Sequence, residues 1–278
     1  MSWRLRWADD ELSDAGNFGR HSRALDASWK YWMALAAKLV PHLWPMPIRL
    51  RLQQGGVIEV RDFMTLYIYK EIFVDRCYDL PAMPLHEPVI LDVGANAGLF
   101  ALRMKQLYPR ARISCYEPFA PNFQQLRRNL AQSGIADCAL YREGVGGRAR
   151  QEKLYIHKRN AGGHSIVEGQ VPGHDCVQID IVDLTSVLDR LPDGRCHLLK
   201  LDCEGAEKEI LDSLETSHAR RIERIVFEPT PSLYDVPSLM KRLSALGYEV
   251  SSNQGLCIAV QKGLAPHSGK NAKMFSEG

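Results

Sequence analysis

The feature that most constrains this chain is an alternation of short apolar runs with amphipathic stretches, which begins at Val89. Val89-Ile90-Leu91-Asp92-Val93 reads as a buried strand, followed by a glycine-bearing loop and a helix to about Tyr108. Arg112 to Tyr116 and Cys138 to Tyr141 read as further strands. Between them lies a helix with Pro121 near its start, Phe123, Leu126 and Leu130 on one face, and Gly134 as its stop. The alternation resumes with a strand at His197 to Leu201, a helix from Ala206 to Leu214 and a strand at Ile225 to Phe227. A helix marked by Leu239, Leu243 and Leu246 ends at Gly247. Tyr248–Ser251 and Leu256–Val260 then form a closing antiparallel pair. Strands alternating with helices predict an α/β fold with a doubly wound, mostly parallel sheet.

Two regions depart from this rhythm. Residues 150–180 carry short alternating runs around Gly162-Gly163 and Pro172-Gly173, which predicts a β-hairpin insertion. At the other departure, all five tryptophans (Trp3, Trp7, Trp29, Trp32 and Trp44) fall in the first 44 residues. From Ser22 to Val40, Leu25, Trp29, Trp32, Met33, Ala36 and Leu39 recur at helical spacing, and Pro41, Pro45 and Pro47 end the pattern. Ile48 to Arg61 alternates around Gly55-Gly56 as a hairpin. The expected organisation is an N-terminal arm and amphipathic helix over 1–47, serving as a lid or a homodimer contact. A main domain follows over 48–262, with a flexible tail over 263–278.

Charge and cysteine content narrow the function. Thirty-five Lys and Arg stand against 33 Asp and Glu, a net charge of +2, which excludes a strongly basic nucleic-acid binder, and no nucleic-acid partner is expected. Seven cysteines with no C-x-x-C pair read as free thiols in a reducing compartment. No apolar run is long enough to span a bilayer and no signal-peptide pattern is seen, so a cytoplasmic location is expected.

Ligands of open parallel sheets bind at the C-terminal strand ends. Asp92, Glu117, Asp202 and Glu228 stand at four such ends. Any one of them alone reads better as a helix cap, but four together favour a site. The loop Gly94 to Gly98 precedes a helix and is expected to offer main-chain N–H groups to a ligand. It is not the dinucleotide fingerprint, because Asn96 and Leu99 stand where that pattern needs glycine. Glu117 follows Gly94 by roughly 20 residues, the spacing of an acid that bridges a ribose diol. A nucleoside ligand without pyrophosphate, such as S-adenosylmethionine, fits this pattern.

The run Asp92-Val-Gly-Ala-Asn-Ala-Gly98 resembles the first motif of class I S-adenosylmethionine-dependent methyltransferases. Leu199-Lys-Leu-Asp-Cys-Glu-Gly-Ala-Glu207 resembles the LK(I/L)DxEGxE signature of their FkbM-type branch. Val60 to Tyr78 (with Tyr69, Glu71 and Tyr78), Glu117-Pro118, Gly144-Val145-Gly146 and Gly162-Gly163-His164-Ser165 are also similar to that branch. The resemblance covers roughly residues 48–260. It implies a Rossmann-like, seven-stranded sheet with an antiparallel C-terminal strand. It also implies O-methylation of a small or medium-sized hydroxylated acceptor, such as a sugar, polyketide or peptide product.

Carried over by residue, Asp92, Gly94, Ala95, Asn96 and Gly98 form the cofactor loop, with Gly94, Asn96 and Gly98 holding the methionyl part. Glu117 and Pro118 serve the ribose, Glu143, Gly144 and Val145 border the adenine, and Asp202 sits beside the sulfonium. An alcohol is a weak acid and needs a base or a metal. Asp202, Glu204 and His164 are the candidate bases. Asp202, Glu204 and Glu228 could instead gather a divalent ion, although three loop acids are more commonly just solvated. A lone loop histidine is more often unremarkable, and only the resemblance lifts His164. Lys200 shares a strand face with Asp202 and reads as a structural ion pair, and Cys203 as a packing residue. The arginine clusters at 127–128, 148–153 and 220–224 read as solvated faces. A nicotinamide-dependent oxidoreductase and a nucleic-acid methyltransferase are the alternatives. The missing glycines oppose the first. The second lacks both an Asn-Pro-Pro-Tyr-type motif and a Pro-Cys dipeptide.

Overall fold

A computed structural model describes residues 20–21, 23–26, 29–39, 46–79, 83, 86–156, 165–166, 175–203 and 205–264. The first long helix, α1 (Trp29–Leu39), is shorter than the sequence predicts. Arg23 and Ala24 are helical, but Leu25 bridges Leu52 and Asp26 N donates to Arg51 O at 3.0 Å, so the chain runs beside a strand there before α1 begins. The face of α1 is also turned. Tyr31, Ala34 and Leu35 are buried, whereas Trp29 and Met33 of the expected apolar face are 59% and 41% exposed. Aromatic stacking supplies the reason. His21 stacks on Tyr31 at 3.8 Å between centroids, and its Nδ1 lies 3.3 Å from the Tyr69 hydroxyl, which draws Tyr31 inward. Trp3, Trp7 and Trp44 lie outside the described residues.

Strands β1 (Ile48–Arg51) and β2 (Val57–Val60) form an antiparallel hairpin with Ile48 opposite Val60. Helix α2 (Phe63–Tyr69) starts where Asp62 accepts from Thr65 N at 2.9 Å. It runs on without a break into a π-helical turn over Lys70–Val74. The sequence reading assigns this segment no helix.

The central unit then alternates as the apolar runs require. In chain order it comprises β3 (Val89–Val93), α3 (Leu99–Leu107), β4 (Arg112–Tyr116), α4 (Ala120–Gln132) and β5 (Ala139–Tyr141). A three-stranded excursion follows: β6 (Gly144–Gly146), β7 (Arg150–Tyr155) and β8 (Cys176–Asp183). The unit closes with α5 (Leu184–Asp189), β9 (Leu198–Leu201), α6 (Glu207–Asp212), α7 (Thr216–Ala219), β10 (Arg224–Phe227), α8 (Val236–Ala245), β11 (Tyr248–Asn253) and β12 (Leu256–Gln261).

Seven strands make one sheet in the order β11-β12-β10-β9-β3-β4-β5. β10, β9, β3, β4 and β5 pair in parallel, and β12 lies antiparallel between β10 and β11. This is the Rossmann-like, doubly wound sheet with an antiparallel C-terminal strand that the sequence predicts. Every residue of β3 and β9 is buried, as parallel strands covered on both faces must be. Alternate residues therefore feed two cores. Ile90, Leu198 and Val226 pack with α3, α4 and the N-terminal elements, whereas Leu91, Leu199 and Ile225 pack with α5, α6 and α8.

β8 pairs parallel with β6 and antiparallel with β7, placing Ile181 opposite both Gly144 and Arg150. Gly162, Gly163, Pro172 and Gly173 lie outside the described residues. Among the described residues, no helix is long and apolar enough to cross a membrane.

Candidate active site

From β3 the chain crosses to β4 on one side, while β9 lies on the other, which is the switch point where such sheets bind ligands. The first motif begins here. Gly94 has φ +77°, and a Cβ on it would lie 1.8 Å from the Asp202 carbonyl oxygen. Only glycine lets the end of β3 pass so close to the end of β9. Beneath this crossing, Asp92 is fully buried, with Lys200 Nζ 3.1 Å from its Oδ1. The same ammonium lies 3.3 Å from Asp202 Oδ2 and donates to Gly94 O at 2.8 Å. Burial pushes the Asp92 carboxyl up, and Lys200 opposes that shift. Burial alone would lower the Lys200 ammonium, but Asp92 and Asp202 outweigh it and hold it above its usual range.

The loop does not offer its N–H groups in the way its sequence suggests. Gly94 N and Ala95 N both donate to Tyr116 O at 3.0 Å, and Gly98 N donates to Ala95 O at 2.8 Å. Asn96 N donates to Glu117 Oε2 at 2.9 Å. With these donors satisfied internally, the loop is not an anion cradle. Glu117 also accepts from Phe119 N through Oε1 at 2.9 Å. Burial lifts its carboxyl to about 7 despite these two donors. Each of its oxygens keeps a further lone pair for a ligand hydroxyl.

The second signature divides into two roles. Asp202 is one-third exposed at the end of β9. Glu207 is buried and accepts from Cys203 N at 2.8 Å and Gly205 N at 2.9 Å, so it holds the loop in shape. Burial pushes the Cys203 thiol well up, which suits a packing residue better than a nucleophile. Glu204 and His164 lie outside the described residues.

A cavity of about 990 Å³, counted out to its mouth, opens over the switch point. Of the residues expected at the cofactor, Gly94, Asn96, Glu117, Pro118, Gly144, Val145 and Asp202 line it. The rest stand elsewhere: Asp92, Ala95 and Gly98 are packed beneath, and Glu143 accepts from Arg190 at 2.7 Å. Leu154, Ile166, Ile179 and Ile181 close one side with apolar surface. Gly146 makes that approach possible, because a Cβ there would meet Ile181 Cγ2 at 2.8 Å.

The structure adds residues that the sequence reading did not place. Tyr67 and Glu71 reach the cavity from α2 and its π turn, beside Glu228 at the end of β10. Burial and then Glu228 lift the Glu71 carboxyl to about 8, against the hydrogen bond from Tyr67. Burial and then Asp202 lift Glu228 to about 7. The signal was Asp62 followed three residues later by Thr65, a helix start that the near-continuous apolar residues after it obscured. Among the described residues, no group of three or more His, Cys, Asp or Glu is placed to hold a metal ion.

Sequence comparison agrees with this geometry. The Methyltransferase FkbM domain profile matches residues 92–250. Methyltransferase sdnD of Sordaria araneosa is 31% identical over 217 residues, covering 68% of this chain and 83% of that protein. Methyltransferase 1 of Beauveria bassiana is 29% identical over 204 residues, covering 66% and 81%. The 31-O-demethyl-FK506 methyltransferase FkbM of Streptomyces tacrolimicus is 28% identical over 240 residues, covering 74% and 90%. The chain belongs to the FkbM methyltransferase family.

Proposed function

We propose that this protein transfers a methyl group from S-adenosylmethionine to a hydroxyl oxygen of a small or medium-sized hydroxylated acceptor. The carrying observation is the cavity at the switch point, where Glu117, Asp202 and Glu228 face one space walled on its other side by aliphatic residues. The donor set suits this cofactor. Glu117 has lone pairs left for a ribose diol, the Gly94–Gly98 loop is closed to a pyrophosphate, and the apolar wall of Val145, Leu154, Ile179 and Ile181 suits an adenine. When bound, S-adenosylmethionine supplies an electrophilic methyl group on a cationic sulfur. Asp202 and Glu228 set a negative field for that charge, and Lys200 keeps Asp202 fixed in place. Positioning of this kind supplies much of the rate of an in-line displacement. Transfer to oxygen is supported by the relative described as a 31-O-demethyl-FK506 methyltransferase.

Calorimetric titration with S-adenosylhomocysteine tests the reading. Binding to the folded protein is expected, and Glu117→Gln should weaken it by roughly 10–100-fold, the value of a hydrogen bond to a charged group. A folded protein that does not bind S-adenosylhomocysteine would overturn the proposal.

A further inference from the structure

A second cavity, of about 910 Å³, opens beside the first. Its walls are Arg20, Val74 at the end of the π turn, Asp75, Cys77 and Tyr78 after it, and the β11–β12 turn at Gln254 and Gly255. Glu71 and Glu228 line both cavities, so the two spaces meet at these side chains. The meeting point is on the Asp202 side of the first cavity, since Asp202 is the strongest charge acting on Glu228. That is the end at which the proposed methyl donor would present its reactive carbon.

Charge on this second wall is unevenly answered. Asp75 accepts from Lys70 Nζ at 2.6 Å and lies 3.7 Å from Arg20, so its charge is balanced within the wall. Glu228 raises the Glu71 carboxyl across the threshold, Asp202 raises Glu228 in turn, and Tyr67 is bonded to Glu71 on the cofactor side. A phosphate or carboxylate brought here would add a like charge beside two carboxyls whose charged forms are already disfavoured. Hydroxyl or ammonium groups would instead donate to them. Val74, Tyr78 and Leu256 offer apolar surface to a carbon skeleton. The enclosed part of the cavity, about 400 Å³, lies within the range of small-molecule sites. π-helical turns occur disproportionately at functional sites, and this one sets Glu71 at the threshold.

We propose that the second cavity is the acceptor chamber, and that it takes a neutral or cationic polyhydroxylated molecule whose reacting hydroxyl meets Glu71 and Glu228. This rests on the O-methyltransferase reading above. With Glu71 raised to about 8 and Glu228 to about 7, the threshold near neutral pH carries both protonated and ionised carboxyls, which can donate to and accept from an alcohol.

The test supplies S-adenosylmethionine with a deuterated methyl group and a metabolite extract to the full chain. Products are separated by charge before mass spectrometry. Label is expected in the neutral and cationic fractions. Val74→Trp and Cys77→Phe, which fill the chamber from two positions, should each cut incorporation by about tenfold or more, since a displaced acceptor loses its alignment. Both variants should keep the wild-type dissociation constant for S-adenosylhomocysteine by calorimetry. Label chiefly in the anionic fraction, or incorporation unaffected by both substitutions, would overturn the proposal. Loss of S-adenosylhomocysteine binding in both variants would also overturn it, because the two cavities would then be one site. Failure to bind S-adenosylhomocysteine would overturn the O-methyltransferase reading and the chamber assignment with it, whereas wild-type protein that binds S-adenosylhomocysteine yet labels nothing would overturn the acceptor assignment and leave the cofactor site standing.

Discussion

A buried ammonium is tolerable only while its charge and its donors are all answered, and Lys200 meets that demand with three oxygens from two motifs. It reaches Asp92 at 3.1 Å, Asp202 at 3.3 Å and the Gly94 carbonyl at 2.8 Å, while its Nζ lies 5.7 Å from the Phe100 ring centroid. The strand-face argument from sequence anticipates the pairing with Asp202. It does not anticipate that Asp92, expected at the cofactor, serves Lys200 instead. Removing one partner of a buried pair leaves the other charge uncompensated, which costs about 3–5 kcal/mol. Lys200→Met should therefore lower stability by that amount in denaturant unfolding. Adding Asp92→Val should restore most of it, since the orphaned carboxylate is then gone. A double variant no more stable than the single one would show that the Asp92 charge is not what Lys200 neutralises.

Elements differ in how openly the sequence announces them. β3, β9 and β10 were legible because strands covered on both faces read as largely apolar runs, and Glu117, Asp202 and Glu228 at strand ends marked the site rim. The face of α1 was misread because a ring stack with His21 and a contact to Tyr69, distant in sequence, override its local periodicity. The α2 segment and its π turn were missed for a related reason. Phe63, Met64, Leu66, Ile68, Ile72 and Phe73 form too dense an apolar run to show a period, and a π register has no sequence repeat of its own. Nor could spacing reveal that the N–H groups of Gly94, Ala95, Asn96 and Gly98 are already satisfied. The three-stranded excursion raises its own question of what holds it over the cavity. Arg150 on β7 grips Glu209 on α6 through two bonds, of 2.7 and 2.9 Å, and Gly147 N donates to the same carboxylate at 3.1 Å. Because the pair is partly exposed, Arg150→Ala should cost only about 1 kcal/mol, seen as a severalfold weaker affinity for S-adenosylhomocysteine with little change in unfolding. Unaltered affinity would mean the apolar contacts of Ile179 and Ile181 hold the excursion in place without it.

At the scale of the whole molecule, three raised carboxyls around the cavity, Glu117 buried, Glu71 half-buried and Glu228 partly open to solvent, give the protein a defined response to pH. Glu117 and Glu228 stand at about 7 and Glu71 at about 8, each raised first by burial from an ordinary value of 4.5. Between these limits the folded chain holds protons that the unfolded chain has released. Stability contributed by these groups is therefore complete below about pH 4.5 and is lost as pH rises through about 7 to 8. A cationic ligand reverses the preference. A sulfonium placed near Asp202 and Glu228 favours the ionised carboxylates, so its binding should strengthen as pH rises through the same window. S-adenosylhomocysteine makes the same ribose and adenine contacts but carries a neutral sulfur. The ratio of the two affinities thus isolates the charge effect from everything else in the cavity. Between pH 6 and pH 8.5, affinity for S-adenosylmethionine relative to S-adenosylhomocysteine should rise by roughly tenfold for each unit by which the cation lowers a carboxyl. Parallel calorimetric titrations measure it, and Glu228→Gln should flatten the ratio. A ratio that does not vary with pH in the wild-type protein would place the sulfonium away from Glu228, and with it away from the threshold between the two cavities.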